Sequence, residues 1–112
     1  MSMHSQESTA SWVALADPMR IRLIDLLLER GEATASILAD AVPITRQGVS
    51  KHLAVLERDG LVVARRTGRE VYYAVRADGL DQARRALAGT AARWDSRLNA
   101  IKRLAEESAK QR

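Results

Sequence analysis

At 112 residues, 46% of them hydrophobic and 29% charged, the chain has room for one globular domain with a single modest core. Its complete lack of cysteine excludes disulfides, thiolate metal sites and cysteine nucleophiles. The net charge of +4 is unevenly held: residues 1–60 carry six basic and eight acidic side chains, residues 61–112 twelve basic and six acidic, which favours a polyanionic partner.

In chain order, Gln6–Ala16 reads as a short helix burying Trp12, Leu15 and Ala16. Asp17 as N-cap and Pro18 at the first helical position restart the chain as a second helix to about Arg30. Its apolar face of Ile21, Leu23, Ile24, Leu26, Leu27 and Leu28 is wide enough for the central core helix, and Gly31 ends it. Thr34 caps a third helix through Ala41, with Ile37 and Leu38 inward. Val42-Pro43-Ile44 then breaks the helix, because Pro43 also pushes Val42 out of helical geometry. A fourth helix, Arg46 to Asp59, opens on Thr45 as N-cap and stops at Gly60 as the C′ residue.

Two β-prone runs follow, Leu61–Ala64 and Val71–Val75, joined by a turn of Arg65, Arg66, Thr67, Gly68 and Arg69 in which Gly68 supplies positive φ. Alternation places Val71, Tyr73 and Val75 on one side of this ribbon and Tyr72 on the other. Asp78 caps a last helix from Gly79 or Leu80 to Ala109, with Leu80, Leu87, Ala91, Trp94, Leu98, Ile101 and Ala105 along one seam. That seam either folds back on Trp12 and the second helix or pairs with another chain. Its length favours a homodimer through Trp12, Leu87, Ala91, Trp94, Leu98 and Ile101. The ends, residues 1–5 and 107–112, are expected to fray.

The fourth helix divides into two faces. Val49, Leu53 and Leu56 fall together, with His52 at their edge, while Gln47, Ser50, Lys51, Ala54 and Arg58 form a face of donors without a carboxylate. Such a face suits a groove lined with phosphates and base edges. A short helix, a tight turn, a capped polar-faced helix and a basic hairpin are together the pattern of a winged helix-turn-helix. The expected fold is α+β, mainly α with a small β-hairpin, in the order α-α-α-α-β-β-α. It forms one domain over residues 1–112, with 6–76 as the DNA-binding body and 78–109 as the dimerisation helix.

In that frame Gln47 and Ser50 are the candidates for base edges, and Thr45 and Arg46 for a phosphate at the helix N-terminus. Lys51 suits either role. His52 has two readings, a packed and hydrogen-bonded side chain or a phosphate contact. Gly48 permits close approach either of helix to helix or of helix to DNA. One of Arg65, Arg66 and Arg69 enters the adjacent minor groove, unless the three merely solubilise the hairpin tip. Arg20 or Arg22, opening the second helix, is a further candidate for the DNA backbone.

The stretches LADPMRIRLIDLLLERG and TRQGVSKHLAVLERDGLVVARRTGREVYYAV resemble the ArsR family of bacterial winged-helix repressors. The resemblance runs from Leu15 to Val75. It rests on Asp17-Pro18-x-Arg20, Val49-Ser50-x-His52-Leu53, Leu56-x-x-x-Gly60-Leu61-Val62 and Gly68-Arg69-x-x-x-Tyr73. It implies a dimer joined by the first and last helices, and a repressor of transcription. Metal-sensing members use a cysteine pair in the third helix or Asp and His ligands in the last helix. The third helix here reads TASILADAV, and the last helix has no histidine. No metal and no cofactor are therefore expected.

The expected partners are a double-stranded inverted-repeat operator and a second copy of the chain, with a small-molecule effector near Trp12 and Trp94 as a further partner. The competing reading is a protein- or RNA-interaction module that reuses the winged helix, against which the charged face argues. No nucleophile–base pair or Gly-rich phosphate loop supports an enzyme. The beginning MSMHSQEST has no basic and apolar leader, and no apolar run approaches the roughly 18 residues of a membrane span, so a cytoplasmic protein off the membrane is expected.

Overall fold

The computed structural model describes residues 12–110. Of the predicted first helix, residues 6–11 lie outside that range. Residues 12–14 are helical and end in a turn held by Leu15 N–H to Trp12 O at 3.1 Å. Trp12 and Leu15 are partly buried, but Ala14 rather than Ala16 faces the core, because the chain has left helical geometry by residue 15.

Helix α1 (Pro18–Arg30) starts as its sequence requires: Asp17 accepts a hydrogen bond from the Met19 N–H at 2.8 Å, and Pro18 needs no partner. Gly31, at φ 84°, closes it. Its buried stripe is narrower than expected. Leu23, Ile24, Leu26 and Leu27 are inside while Ile21 and Leu28 are exposed, because only one side of α1 meets other elements. Strand β1 (Ala33–Thr34) was not expected. It is two residues long and exists through pairing with a distant strand. Helix α2 (Ala35–Ala39) is capped by Thr34 Oγ1 accepting from the Ile37 N–H at 3.2 Å. It ends two residues before Ala41, and it buries Leu38 but leaves Ile37 exposed, since one short turn has a single inward position.

Helix α3 (Arg46–Arg58) is capped by Thr45, whose hydroxyl accepts from the Gly48 N–H at 3.0 Å. It closes on a Schellman pair, Gly60 N–H to Glu57 O at 3.1 Å and Leu61 N–H to Leu56 O at 2.8 Å, with Gly60 at φ 77°. Strands β2 (Val62–Thr67) and β3 (Glu70–Val75) form an antiparallel hairpin, and β1 adds to β3 so that the order is β1-β3-β2. The hairpin is longer than predicted and begins at Val62 rather than Leu61. Arg65 and Arg66 lie in β2, opposite Tyr72 and Val71, and the turn shrinks to Gly68 and Arg69. Cross-strand pairing overrides the weak strand preference of those arginines. Gly68 has φ 60° and Arg69 has no positive φ, the pattern of a type II′ turn.

Helix α4 (Ala77–Lys110) starts earlier than expected, so Asp78 stands inside its first turn instead of capping it. It is helical through Lys110, where fraying was predicted. Only Gly79 and Ala83 of α4 are buried, with Leu80 half-buried against the core, and the later turns of the helix are mostly exposed. The radius of gyration is 19.2 Å, against about 13 Å for a compact chain of this length. The core sits where α1, α2, α3 and the hairpin meet, filled by Leu23, Leu27, Leu38, Val49, Leu53, Leu56, Leu61 and Val62, each contributing about 1.5–3 kcal/mol by burial. No helix among the described residues is long and apolar enough to cross a membrane.

Candidate nucleic-acid interface

Helix α3 turns Val49, Leu53 and Leu56 into the core, which fixes what it shows outside. Gln47, Lys51, Ala54 and Arg58 share its outward face, all exposed. Thr45 and Arg46 are exposed at its start, and Arg46 and Ser50 occupy the flank turned toward the hairpin. His52 occupies the other flank, about 140° around the helix axis from Gln47. There its Nδ1 accepts a hydrogen bond from Arg20 Nε at 3.1 Å, and Arg20 also donates to the Ala14 carbonyl at 3.4 Å. Of the two readings of His52, the packed and hydrogen-bonded one describes its position. Arg20 is thereby engaged, while Arg22 stays exposed on α1. A Cβ added at Gly48 would make ordinary contacts with Thr45 and Ile44, at 3.4 Å and beyond, so no helix packing requires this glycine.

The three wing arginines divide. Arg65 is held by Glu32 at 2.7 Å, donates to Thr67 Oγ1 at 2.7 Å and lies over the Tyr72 ring at 4.9 Å, so it braces the wing against the loop before β1. The Tyr72 phenol donates to Glu70 at 2.6 Å; that bond and the Glu70 charge hold its pKa above the ordinary value, against the opposing pull of Arg65. Arg66 and Arg69 are exposed and, among the described residues, without an ion pair. The same holds for Arg46 and Lys51, whereas Arg58 leans on Asp59 at 3.3 Å. An unpaired cation keeps its full attraction for a polyanion, and the start of α3 and the tip of the wing each carry two such cations, as other exposed stretches of the chain also do. The engagements of Arg20, Arg65 and Glu32 span more than thirty positions, and nothing local in the sequence announces them.

On α4 the expected seam is solvent-exposed: Leu87 is 49%, Trp94 58%, Leu98 49% and Ile101 62% accessible, with Ala91 also exposed and Leu104 widening the stripe. Among the described residues, Trp12 Nε1 is buried without a hydrogen-bond partner. Among the described residues, no group of three His, Cys, Asp or Glu side chains is placed to hold a metal.

Comparison with known proteins places this geometry. Residues 15–65 match a family described as a helix-turn-helix domain. The HTH-type regulator Rv0081 of Mycobacterium tuberculosis is 40% identical over 63 residues, 56% of this chain and 55% of the relative; the chain thus spans about half the length of the curated relatives it matches. A solved structure described as a possible transcriptional regulator for arsenical resistance is 39% identical with a TM-score of 0.68, covering 71% of this chain and 82% of that one. The ArsR-like regulator from Rhodococcus sp. RHA1 is 37% identical with a TM-score of 0.67, over 89% of this chain and 93% of its own. A likeness that takes in nearly the whole of a solved regulator, wing and projecting helix included, leaves one assignment: the chain belongs to the ArsR family of winged helix-turn-helix transcriptional regulators.

Proposed function

We propose that the chain regulates transcription by binding double-stranded DNA as a homodimer on an inverted-repeat operator, with one α3 helix in each of two successive major grooves about 34 Å apart. Bound near a promoter it excludes polymerase, and repression follows. The observation that carries this reading is the outward face of α3, free of carboxylates, beside a wing whose Arg66 and Arg69 are exposed and unpaired among the described residues and whose Arg69 lines a cavity with Arg46 and Ser50. Gln47 reads base edges, with Lys51 beside it; Thr45 and Arg46 meet a phosphate; Arg66 or Arg69 enters the neighbouring minor groove. The exposed seam of α4 and the unsatisfied indole N–H of Trp12 support pairing with a second copy. With no cysteine in the chain, metal sensing of the thiolate kind has no ligands; a small-molecule or lipid effector near Trp12 and Trp94 is the further reading, and quenching of tryptophan fluorescence across a ligand panel tests it.

Enrichment of bound fragments from genomic DNA tests the proposal and supplies the operator. On that operator Gln47→Ala should change which bases matter. Arg66→Ala or Arg69→Ala should weaken all sites alike and reduce the salt slope by about one. Binding unchanged by all three substitutions refutes the contact map.

A further inference from the structure

Between α3 and the wing lies a polar cavity of about 210 Å³ whose lining includes Ser36, Arg46, Ser50, Arg69, Glu70 and Tyr73. We propose that it seats one phosphodiester of the DNA backbone, on the strand separating the major groove read by α3 from the minor groove met by the wing. This rests on the DNA-binding reading and adds a residue that neither α3 nor the wing contains, Ser36 of α2.

The argument is geometric first. A strand that divides two adjacent grooves must cross the junction between the elements occupying them, and this cavity is that junction. The chemistry agrees. Arg46 and Arg69 supply two guanidinium groups with no carboxylate partner among the described residues. Ser36, Ser50 and Tyr73 bring three hydroxyls, none with a side-chain hydrogen bond there. Fork-like guanidinium donors and rotatable hydroxyls match the several acceptor positions of a phosphate. The lining carries one carboxylate, Glu70, and its Oε2 already accepts from Tyr72. Ser50 thereby moves from the base edges, where the sequence placed it, to the backbone, and Arg69 joins it there, which leaves Arg66 for the minor groove. It stands on the wing-side flank, about 60° around α3 from Gln47.

The test uses the operator duplex recovered by fragment selection, with its phosphodiesters replaced one at a time by uncharged methylphosphonates. One position per half-site should weaken the wild-type protein clearly more than a Ser36→Ala, Arg69→Ala variant, because both changes act on one contact that Arg46, Ser50 and Tyr73 still hold in part. Loss of that contact should flatten the decline between 50 and 200 mM salt by about 3.5-fold, the share of one phosphate. Glu70→Gln, which keeps an acceptor for Tyr72 and removes the charge, should bind more tightly. Additive losses at every phosphate, or no gain from Glu70→Gln, overturn the seat while leaving the DNA-binding reading intact. Failure to bind any duplex at low salt overturns both.

Discussion

Gly79→Ala is the sharpest test of the architecture, because helix propensity and packing predict opposite signs. Gly79 lies in the first turn of α4, where alanine in place of glycine normally stabilises by about 1 kcal/mol. Yet a Cβ at Gly79 would lie 2.9 Å from the carbonyl carbon of Gly60 and nearer still to its oxygen, both of them backbone atoms. Ordinary carbon contacts need about 3.5–4.0 Å, so α4 would have to retreat by at least roughly 0.6 Å. It is not free to do so, since Arg76 N–H donates to Leu61 O at 2.9 Å and Leu80 N–H to Arg76 O at 3.0 Å, pinning the helix start to the hairpin base. Overpacking of about 3 kcal/mol, less about 1 kcal/mol of propensity, leaves a net loss of about 2 kcal/mol. Gly89→Ala is the control. It is the same exchange in the same helix, its added Cβ meeting only Arg93 at 3.8 Å, and should stabilise by about 0.5–1 kcal/mol. Urea denaturation at one fixed protomer concentration reads both. A Gly79→Ala midpoint at or above wild type refutes the close backbone approach.

Gly48→Ala should raise the urea midpoint by the equivalent of about 0.5–1 kcal/mol, since its Cβ finds only ordinary contacts; a loss of stability would mean the helix needs this glycine. If the proposed homodimer forms through α4, Leu98→Glu, placing a charge in its exposed seam, should leave only monomer in sedimentation at micromolar concentration without changing the circular dichroism per residue; a dimer that survives the change would remove the seam from the interface. Asp81 accepts hydrogen bonds from Arg84 and then Arg85, which hold its carboxyl below the ordinary 3.8. A carboxylate with a lowered pKa stabilises the fold above its unfolded value and loses that contribution as pH falls through the folded one. Asp81→Asn should therefore be less stable than wild type near pH 7, with the difference shrinking as pH falls through the lowered pKa, and a difference independent of pH would contradict the pairing.

What the sequence disclosed and what it withheld follow a physical division. Asp17, Pro18, Thr34, Thr45, Gly60 and Gly68 act on backbone groups within a few positions, and each lies where its chemistry required. The burial of Val49, Leu53 and Leu56 followed equally from one helical period. Features made by one segment meeting another were not legible. Strand β1 is created by Tyr72 and Tyr73 across a gap of nearly forty residues. Arg65 and Arg66, turn-like by composition, became strand by pairing. Ile21 and Ile37 are apolar yet exposed because no described neighbour covers them, and Leu28 because it faces only an open pocket shared with Val75 and Leu80. For the candidate site the outward residues of α3 were readable from period alone, whereas the ties of Arg20 to His52 and Arg65 to Glu32 needed the fold.

The contact between Gly60 and Gly79 also bears on how α4 is coupled to α3 and the wing. Gly60 and Leu61 close the end of α3, Leu61 continues the hairpin ladder to Arg76, and α4 begins at the next residue. The end of α3, the base of the wing and the start of α4 thus share one junction held by backbone contacts, with the Arg76 guanidinium beside it. A rotation of α4 must carry the wing base and the end of α3 with it, because close-packed backbone shifts rather than bends. Gly79→Ala should then impair operator binding beyond its cost in stability. Under conditions where circular dichroism shows the variant fully folded, its affinity for the operator should fall while its weak binding to unrelated duplex persists, since the charges are untouched but the spacing of the two reading helices is not. A folded Gly79→Ala protein that binds operator as wild type does would show that the junction tolerates displacement, and that α4 does not steer the reading helices through it.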